Sequence, residues 1–344
     1  MSDVFYYSIS DQNPVKIYSI DSNVLINMSS YFYNGHCHDE IETKKIIEFI
    51  LRVKNTNGLL EYDNAINETC FNYTTNMLEP KALNGYMHAI DSLIMYASPE
   101  EVTRIESNYK PDMRFNNACH IDSILNCNVV EYFLGSNTAF PHSRAAFYLA
   151  YLYNLQILDF HRDSSLTGIN KLKRFYSFMV NEIGCVSSLH LILAQMLFVG
   201  NSAALDTAQR ILKPKSKYSF RDIINSTMDM VHIQTAFIKQ SAFAQCHQPC
   251  DYVIVAQDIG MIELCRVIER TYLIFDGKSS MTGYEFQNNI SEKYYTEWEL
   301  FYNEISAELK DRSSDFMIHD MDKDKVMNSI LARIPHLEHR VVVN

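Results

Sequence analysis

The chain has 344 residues, 47% of them hydrophobic and 21% charged, and its 30 Lys and Arg against 41 Asp and Glu give a formal net charge of −11. These proportions suit a folded chain of roughly two domains and exclude fibres, disordered tails and membrane spans. The 10 glycines leave little for phosphate-cradling loops, and without a global positive field any nucleic-acid contact must come from a local patch.

The N-terminal stretch carries neither a basic nor an apolar segment, so no secretory signal is expected. Residues 15–20 (VKIYSI) alternate and are β-rich, predicting a strand that ends at Asp21. A helical pattern follows over 40–53, with apolar residues at 41, 46, 47, 50 and 51, and NTNG at 55–58 is a turn. Residues 59–73 read as a second helix, and Ser98-Pro99-Glu100-Glu101 is a capping box with proline in the first turn, which starts another. From Asn108 to Lys217 helical patterns follow one another, clearest at 143–160, 172–183, 187–199 and 203–212. The most apolar run, 189–199, falls short of the ~18 residues that span a bilayer.

The β signal returns at 251–256 and 270–275, with a helical stretch at 259–269 between them. That order predicts parallel strands joined by a crossover. Residues 284–312 read as a polar, aromatic helix and 313–344 as a charged tail. The expected organisation is an α/β core in two halves, 1–100 and 218–283, interrupted by an all-α insertion at 101–217 and followed by an extension at 284–344. The 8 cysteines lack regular spacing, which suits a reducing interior, so the expected location is cytoplasmic.

Open parallel sheets place their sites outside the carboxyl ends of strands. Asp21 and Asp258 fall at such ends, while Glu68 and Asp229 fall on predicted helices. Carboxylates converging from separate elements are the hard oxygen ligands that magnesium takes, and metal ions so held hydrolyse phosphodiesters. Each acid also has a structural reading: Asp21 and Asp258 as helix caps, Glu68 and Asp229 as solvated helix positions. Asp222 competes with Asp229 from one face of the same helix, but Ser219-Phe-Arg-Asp222 is itself a capping box, and Asp229 lies deeper, among Met228, Met230 and Val231.

Asp21-Ser22-Asn23-Val24-Leu25-Ile26, after an alternating strand, resembles the opening signature of PIN-domain nucleases. Ala65-Ile66-Asn67-Glu68 resembles the helix carrying that family's second acid. Asp229, with Ala236 beyond it, resembles the third, and the strand ending Ala256-Gln257-Asp258 the fourth. The resemblance covers these four regions, under half the chain. It implies a parallel sheet sandwiched by helices and a Mg²⁺- or Mn²⁺-dependent endoribonuclease, toxin-like in class, with Asp21, Glu68, Asp229 and Asp258 holding the metal and Asn23 in support. The sequence departs from the pattern in the length of chain between Glu68 and Asp229 and in Gln257, where a small or basic residue is usual.

Lys213-Pro-Lys-Ser-Lys-Tyr-Ser-Phe-Arg221 puts four cations and two aromatics in nine residues. Lys213, Lys215, Lys217 and Arg221 suit phosphate contacts and Tyr218 suits stacking on an unpaired base, although a solvated basic loop has the same composition. His36-Cys37-His38 and Cys246-His247-Gln-Pro-Cys250 hold zinc-type ligands without a finger spacing. Arg114 to His120 has the loose Arg-to-His spacing of HEPN-type RNases, which chance supplies readily, and Gly277-Lys-Ser lacks the earlier glycine of a Walker loop. The expected partner is an RNA substrate, with DNA as the alternative and a protein partner or inhibitor on the insertion. A catalytically silent interaction module is the rival from another class.

Overall fold

Six residues rich in β-branched and aromatic side chains, Val15–Ile20, form β2, the strand on which the first unit is built; its last four residues are buried without alternation, so the alternating pattern expected from the sequence does not hold. The computed structural model describes residues 3–72, 77–105, 143–245, 250–275, 280–286, 289–315 and 323–343. Its compact units are Met1–Arg144 with His232–Ile262, and Ala145–Val231 with Glu263–Asn344.

In the first unit a four-stranded sheet has the order β1-β6-β2-β3, where β1 is Phe5–Ser8, β3 is Leu59–Glu61 and β6 is Cys250–Ala256. β6 and β3 flank β2 in parallel, from Val15↔Cys250 to Ile20↔Val255 on one side and from Ile17↔Leu59 to Ser19↔Glu61 on the other. All seven residues of β6 are buried, and from Tyr252 to Ala256 they form the near-continuous apolar run expected of a central parallel strand. β1 adds an antiparallel edge to β6 that the sequence reading lacked. The helices are α1 (Ser22–Asn34), α2 (Glu40–Asn55), α3 (Asp63–Cys70), α4 (Pro80–Asp91) and α5 (Pro99–Val102). Their apolar faces and the sheet share one core, with Val24, Leu25, Met28, Ile46, Phe49 and Ile50 wholly enclosed. A two-residue hairpin, β4 (Phe71–Asn72) with β5 (Met77–Leu78), follows α3. At the amino ends of β2 and β6 the buried Asp251 accepts from the backbone N–H and side-chain N–H of Asn13, each at 2.7 Å, and from Lys16 at 3.1 Å.

The second unit is mainly helical: α6 (Ser143–Arg162), α7 (Gly168–Ser177), α8 (Ser188–Val199), α9 (Ser202–Leu212), α12 (Tyr295–Asp315) and α13 (Lys323–Glu338). α8 is the most apolar run of the sequence, and every residue from Leu189 to Val199 is buried, so it is a helix surrounded on all sides. No helix among the described residues is long and apolar enough to cross a membrane. α10 (Phe220–Gln245) and α11 (Ile259–Val267) each begin in one unit and end in the other.

Several expectations need correction. Residues 59–61 are strand rather than helix, because they complete the sheet beside β2; the helix starts only at Asp63. The predicted crossover does not bring 270–275 beside β6: β7 (Ile268–Phe275) pairs antiparallel with β8 (Ser280–Phe286) in a separate two-stranded sheet. The connection from β6 is shorter than the dozen or more residues a parallel return takes. β8 also takes residues 284–286 out of the predicted polar helix, which begins at Tyr295. The expected charged tail forms α13 and a π-helical turn, His339–Val343, with Ile330, Leu337 and Val341 buried. The α/β unit takes only His232–Ile262 from the second half of the chain, and the helical unit draws on C-terminal segments as well as on the predicted insertion.

Candidate functional site

The strand order places a reversal at β2: the chain goes on from β2 to β3 on one side and returns as β6 on the other. The crevice outside the carboxyl ends at such a reversal is where open α/β sheets bind ligands. Asp21 follows β2 directly. Its backbone N–H continues the ladder to Val255 O at 3.0 Å, and its side chain caps α1, with Oδ1 accepting from Val24 N at 2.8 Å. Its Oδ2 accepts from Gln257 N at 3.0 Å, which ties the end of β2 to the end of β6. Burial pushes the Asp21 carboxyl up to about 6, and the Asp258 charge adds to this, against the opposing amides of Val24, Gln257 and Asp258. Asp258 is half-buried and caps α11, its Oδ1 accepting from Gly260 N at 2.9 Å.

Beside this pair opens a cleft of about 380 Å³ lined by Asn23, Ile26, Asn27, Glu42, Gln257, Asp258 and Ile259. Gln257 is clamped in it: Asn27 Nδ2 donates to its Oε1 at 2.7 Å, and its Nε2 donates to Glu42 Oε1 at 3.3 Å. Glu42, buried in the first turn of α2, also accepts from His38 N at 3.2 Å. Asn27, Glu42 and Gln257 as a connected set escaped the sequence reading. Asp39-x-x-Glu42 before an apolar run signals a helix start, and Asp39 does cap α2, but that local signal gives Glu42 no place in a cleft.

The four predicted acids are thus placed as follows. Asp21 and Asp258 come together at adjacent strand ends, and Asn23 lies exposed on the cleft. Glu68 is half-buried on α3, and Asp229 is half-buried on the part of α10 that belongs to the second unit. Among the described residues no three His, Cys, Asp or Glu side chains are grouped so as to hold a metal ion.

The basic segment is only partly available for contacts. Lys213 closes α9 in the left-handed conformation, φ 46°, and Lys215 pairs with Asp222 at 2.7 Å. Tyr218, expected to stack on a base, is buried to 3% exposure, takes the Lys215 amide on its hydroxyl at 3.1 Å and lies under the Arg162 guanidinium. Its ring is core, a correction to the expected contact, whereas Lys217, Phe220 and Arg221 are exposed. Asp222 forms the capping box expected of it, receiving Ser219 N and Oγ at 2.7 Å each.

In the first zinc-type cluster Cys37 is buried and donates to Asn27 O at 3.4 Å; burial pushes its thiol up to about 11. His36 Nδ1 bonds Cys37 O at 2.8 Å. Residues 246–249 of the second cluster, the Arg114–His120 pair and Gly277-Lys-Ser lie outside the described residues. No family model, curated protein or solved structure matches this chain.

Proposed function

We propose that the chain is a PIN-like, divalent-cation-dependent phosphodiesterase that hydrolyses RNA, with its centre at Asp21 and Asp258. One observation carries this reading: two carboxylates meet at the carboxyl ends of adjacent parallel strands, where the strand order reverses, beside an open cleft. Magnesium is commonly bound through one or two carboxylates and completed by water and substrate phosphate. The donor set at this place fits that mode of binding better than a four-carboxylate cage.

Asp21 and Asp258 would hold the ion, which supplies Lewis acidity toward a phosphoryl oxygen and activates water at neutral pH. The chain's own contribution is position. Three backbone amides fix the Asp21 carboxyl, and the Asn27–Gln257–Glu42 string fixes the loop that carries Asp258. The negative charge at the cleft keeps phosphate away until a cation offsets it.

Asp21→Asn and Asp258→Asn should each abolish metal-dependent RNA cleavage while leaving the circular dichroism spectrum unchanged. Full cleavage by either variant, or in excess EDTA, would overturn the reading. Glu68→Gln and Asp229→Asn measure whether the remaining acids of the family pattern take part. A substrate panel separates RNA from DNA, because carboxylates and metal act on either phosphodiester.

The caps favour a second reading, a silent interaction module, since both acids already serve helix starts. Calorimetry with Mn²⁺ decides between them. Micromolar binding lost in Asp21→Asn belongs to the enzyme, and no binding belongs to the module.

A further inference from the structure

The cleft is an unusual wall for a site that handles phosphodiesters. Three of its side chains are carboxamides, two are carboxylates, two are isoleucines, and none is cationic. Such a surface repels phosphate and suits an uncharged group rich in N–H donors. It is also ordered in advance: Asn27 orients Gln257 at 2.7 Å, and Gln257 and the His38 amide orient Glu42 at 3.3 and 3.2 Å. Glu42 is an acceptor only, and the Asn27 and Gln257 carboxamides each carry a second N–H beyond the one this string uses. Ile26, 41% exposed at the lip of the cleft, offers an apolar face.

Among the four bases only guanine presents two neighbouring donors, N1–H and the N2 amino group, beside an acceptor, O6. A carboxylate next to a carboxamide N–H is the complement of that edge, and the volume lies in the range of small-ligand pockets. We infer that the cleft takes a guanine base of the nucleic-acid substrate. Glu42 accepts from N1–H and the N2 amino group, the Asn27 or Gln257 amide donates to O6, and Ile26 lies against the ring. The origin of the base in a substrate rests on the phosphodiesterase reading; the binding itself needs neither metal nor cleavage.

The full chain is titrated in EDTA with guanosine, inosine, adenosine and uridine, followed by calorimetry and by saturation-transfer NMR. Guanosine should bind best. Inosine, which lacks only the N2 amino group, should bind about tenfold more weakly, the effect of one hydrogen bond to a charged group, and adenosine and uridine more weakly still. Glu42→Gln should erase the preference of guanosine over inosine. Ile26→Ala, at an exposed position that the fold tolerates, should weaken all four nucleosides severalfold and keep their order. Equal binding of the four, no binding of any, or unchanged preference in Glu42→Gln would overturn the inference. Guanosine preference in a protein that neither binds Mn²⁺ nor cleaves RNA would sink the nuclease reading alone. Mn²⁺-dependent cleavage without nucleoside preference would sink this one alone.

Discussion

Asp21 in the first unit and Asp222 in the second both tie down a helix start, Asp21 as its cap and Asp222 as the acid reaching back to the cap Ser219, with opposite electrostatic results. Each is an acid at a helix start that accepts backbone N–H groups: Asp21 from Val24 and Gln257, Asp222 from Ser219. Yet burial, with the charge of Asp258 added, raises Asp21 to about 6, whereas the Lys215 ammonium and the Ser219 donors hold the more open Asp222 at about 2. A capping motif therefore fixes geometry and leaves the charge state to the surroundings. An acid raised in this way, beside a second acid and a cleft, has the environment that functional carboxylates share.

The largest expected effect breaks the Asp21 half of that comparison. Asp21→Ala removes a cap and strands the three backbone N–H groups that the carboxyl accepts, so it should cost roughly 2–4 kcal/mol of stability, read from denaturant unfolding. Asp21→Asn keeps the cap to Val24 but turns its NH2 toward the Gln257 amide, so it should cost less than the alanine variant, about 1–2 kcal/mol. A loss in the asparagine variant as large as in alanine would mean that the tie to Gln257 and the charge, and not the cap on Val24, hold the fold there.

The contrast also marks what can be read from sequence. β2 and the helix start at Ser98 follow from patterns of a few residues, and the structure has both within the predicted ranges. Asp21 and Asp258 were legible because strand ends are local events. β1, β3 and the β7–β8 hairpin were not, for different reasons. β3 has three residues, too few for a period, and it is a strand only because β2 lies beside it. The hairpin does carry a signal, since Asp276-Gly277 between two β-rich runs is a turn pair, but the helical stretch before it favours a β-α-β order on sequence alone. Asn27, Glu42 and Gln257 meet through tertiary contacts from three elements, which no window of sequence contains.

Two histidines sharpen the point that burial, and not the unit, sets the shift. His232 in the first unit and His190 in the second are both pushed down by burial, from 6.5 to about 4 and about 3. As pH falls below 6.5 the unfolded chain takes up protons that the folded one refuses, so stability should decline progressively toward pH 4. Thermal midpoints across that range should fall less steeply in a His232→Gln variant, where the Ser19 hydroxyl, 2.9 Å from Nε2 in the parent, still meets a polar partner. An unchanged slope would assign the acid sensitivity to other groups.

Smaller effects test the Asp222 side. Asp222→Ala should cost about 1 kcal/mol at neutral pH, the value of the reciprocal bonds to Ser219 in the capping box. Because its folded value lies below the ordinary 3.8, this contribution is present above pH 4 and is lost as pH falls toward 2, so parent and variant should converge there. Convergence at a higher pH would mean that Lys215 does not hold the acid down.

The smallest expected stability change is at Phe220, exposed at 48% next to the buried Tyr218. Phe220→Ala should leave stability within about 0.5 kcal/mol, as for surface positions generally, and the exposed Lys217→Ala and Arg221→Ala should do likewise. If the basic segment serves the proposed RNA substrate, the two cation variants should weaken single-stranded RNA binding at low salt and flatten its salt dependence, since each phosphate contact contributes its own counterion release. Phe220→Ala should then weaken binding with the salt slope unchanged, because stacking releases no counterions. Salt-independent or unaltered binding in all three would leave the segment as the solvated flank of a cap.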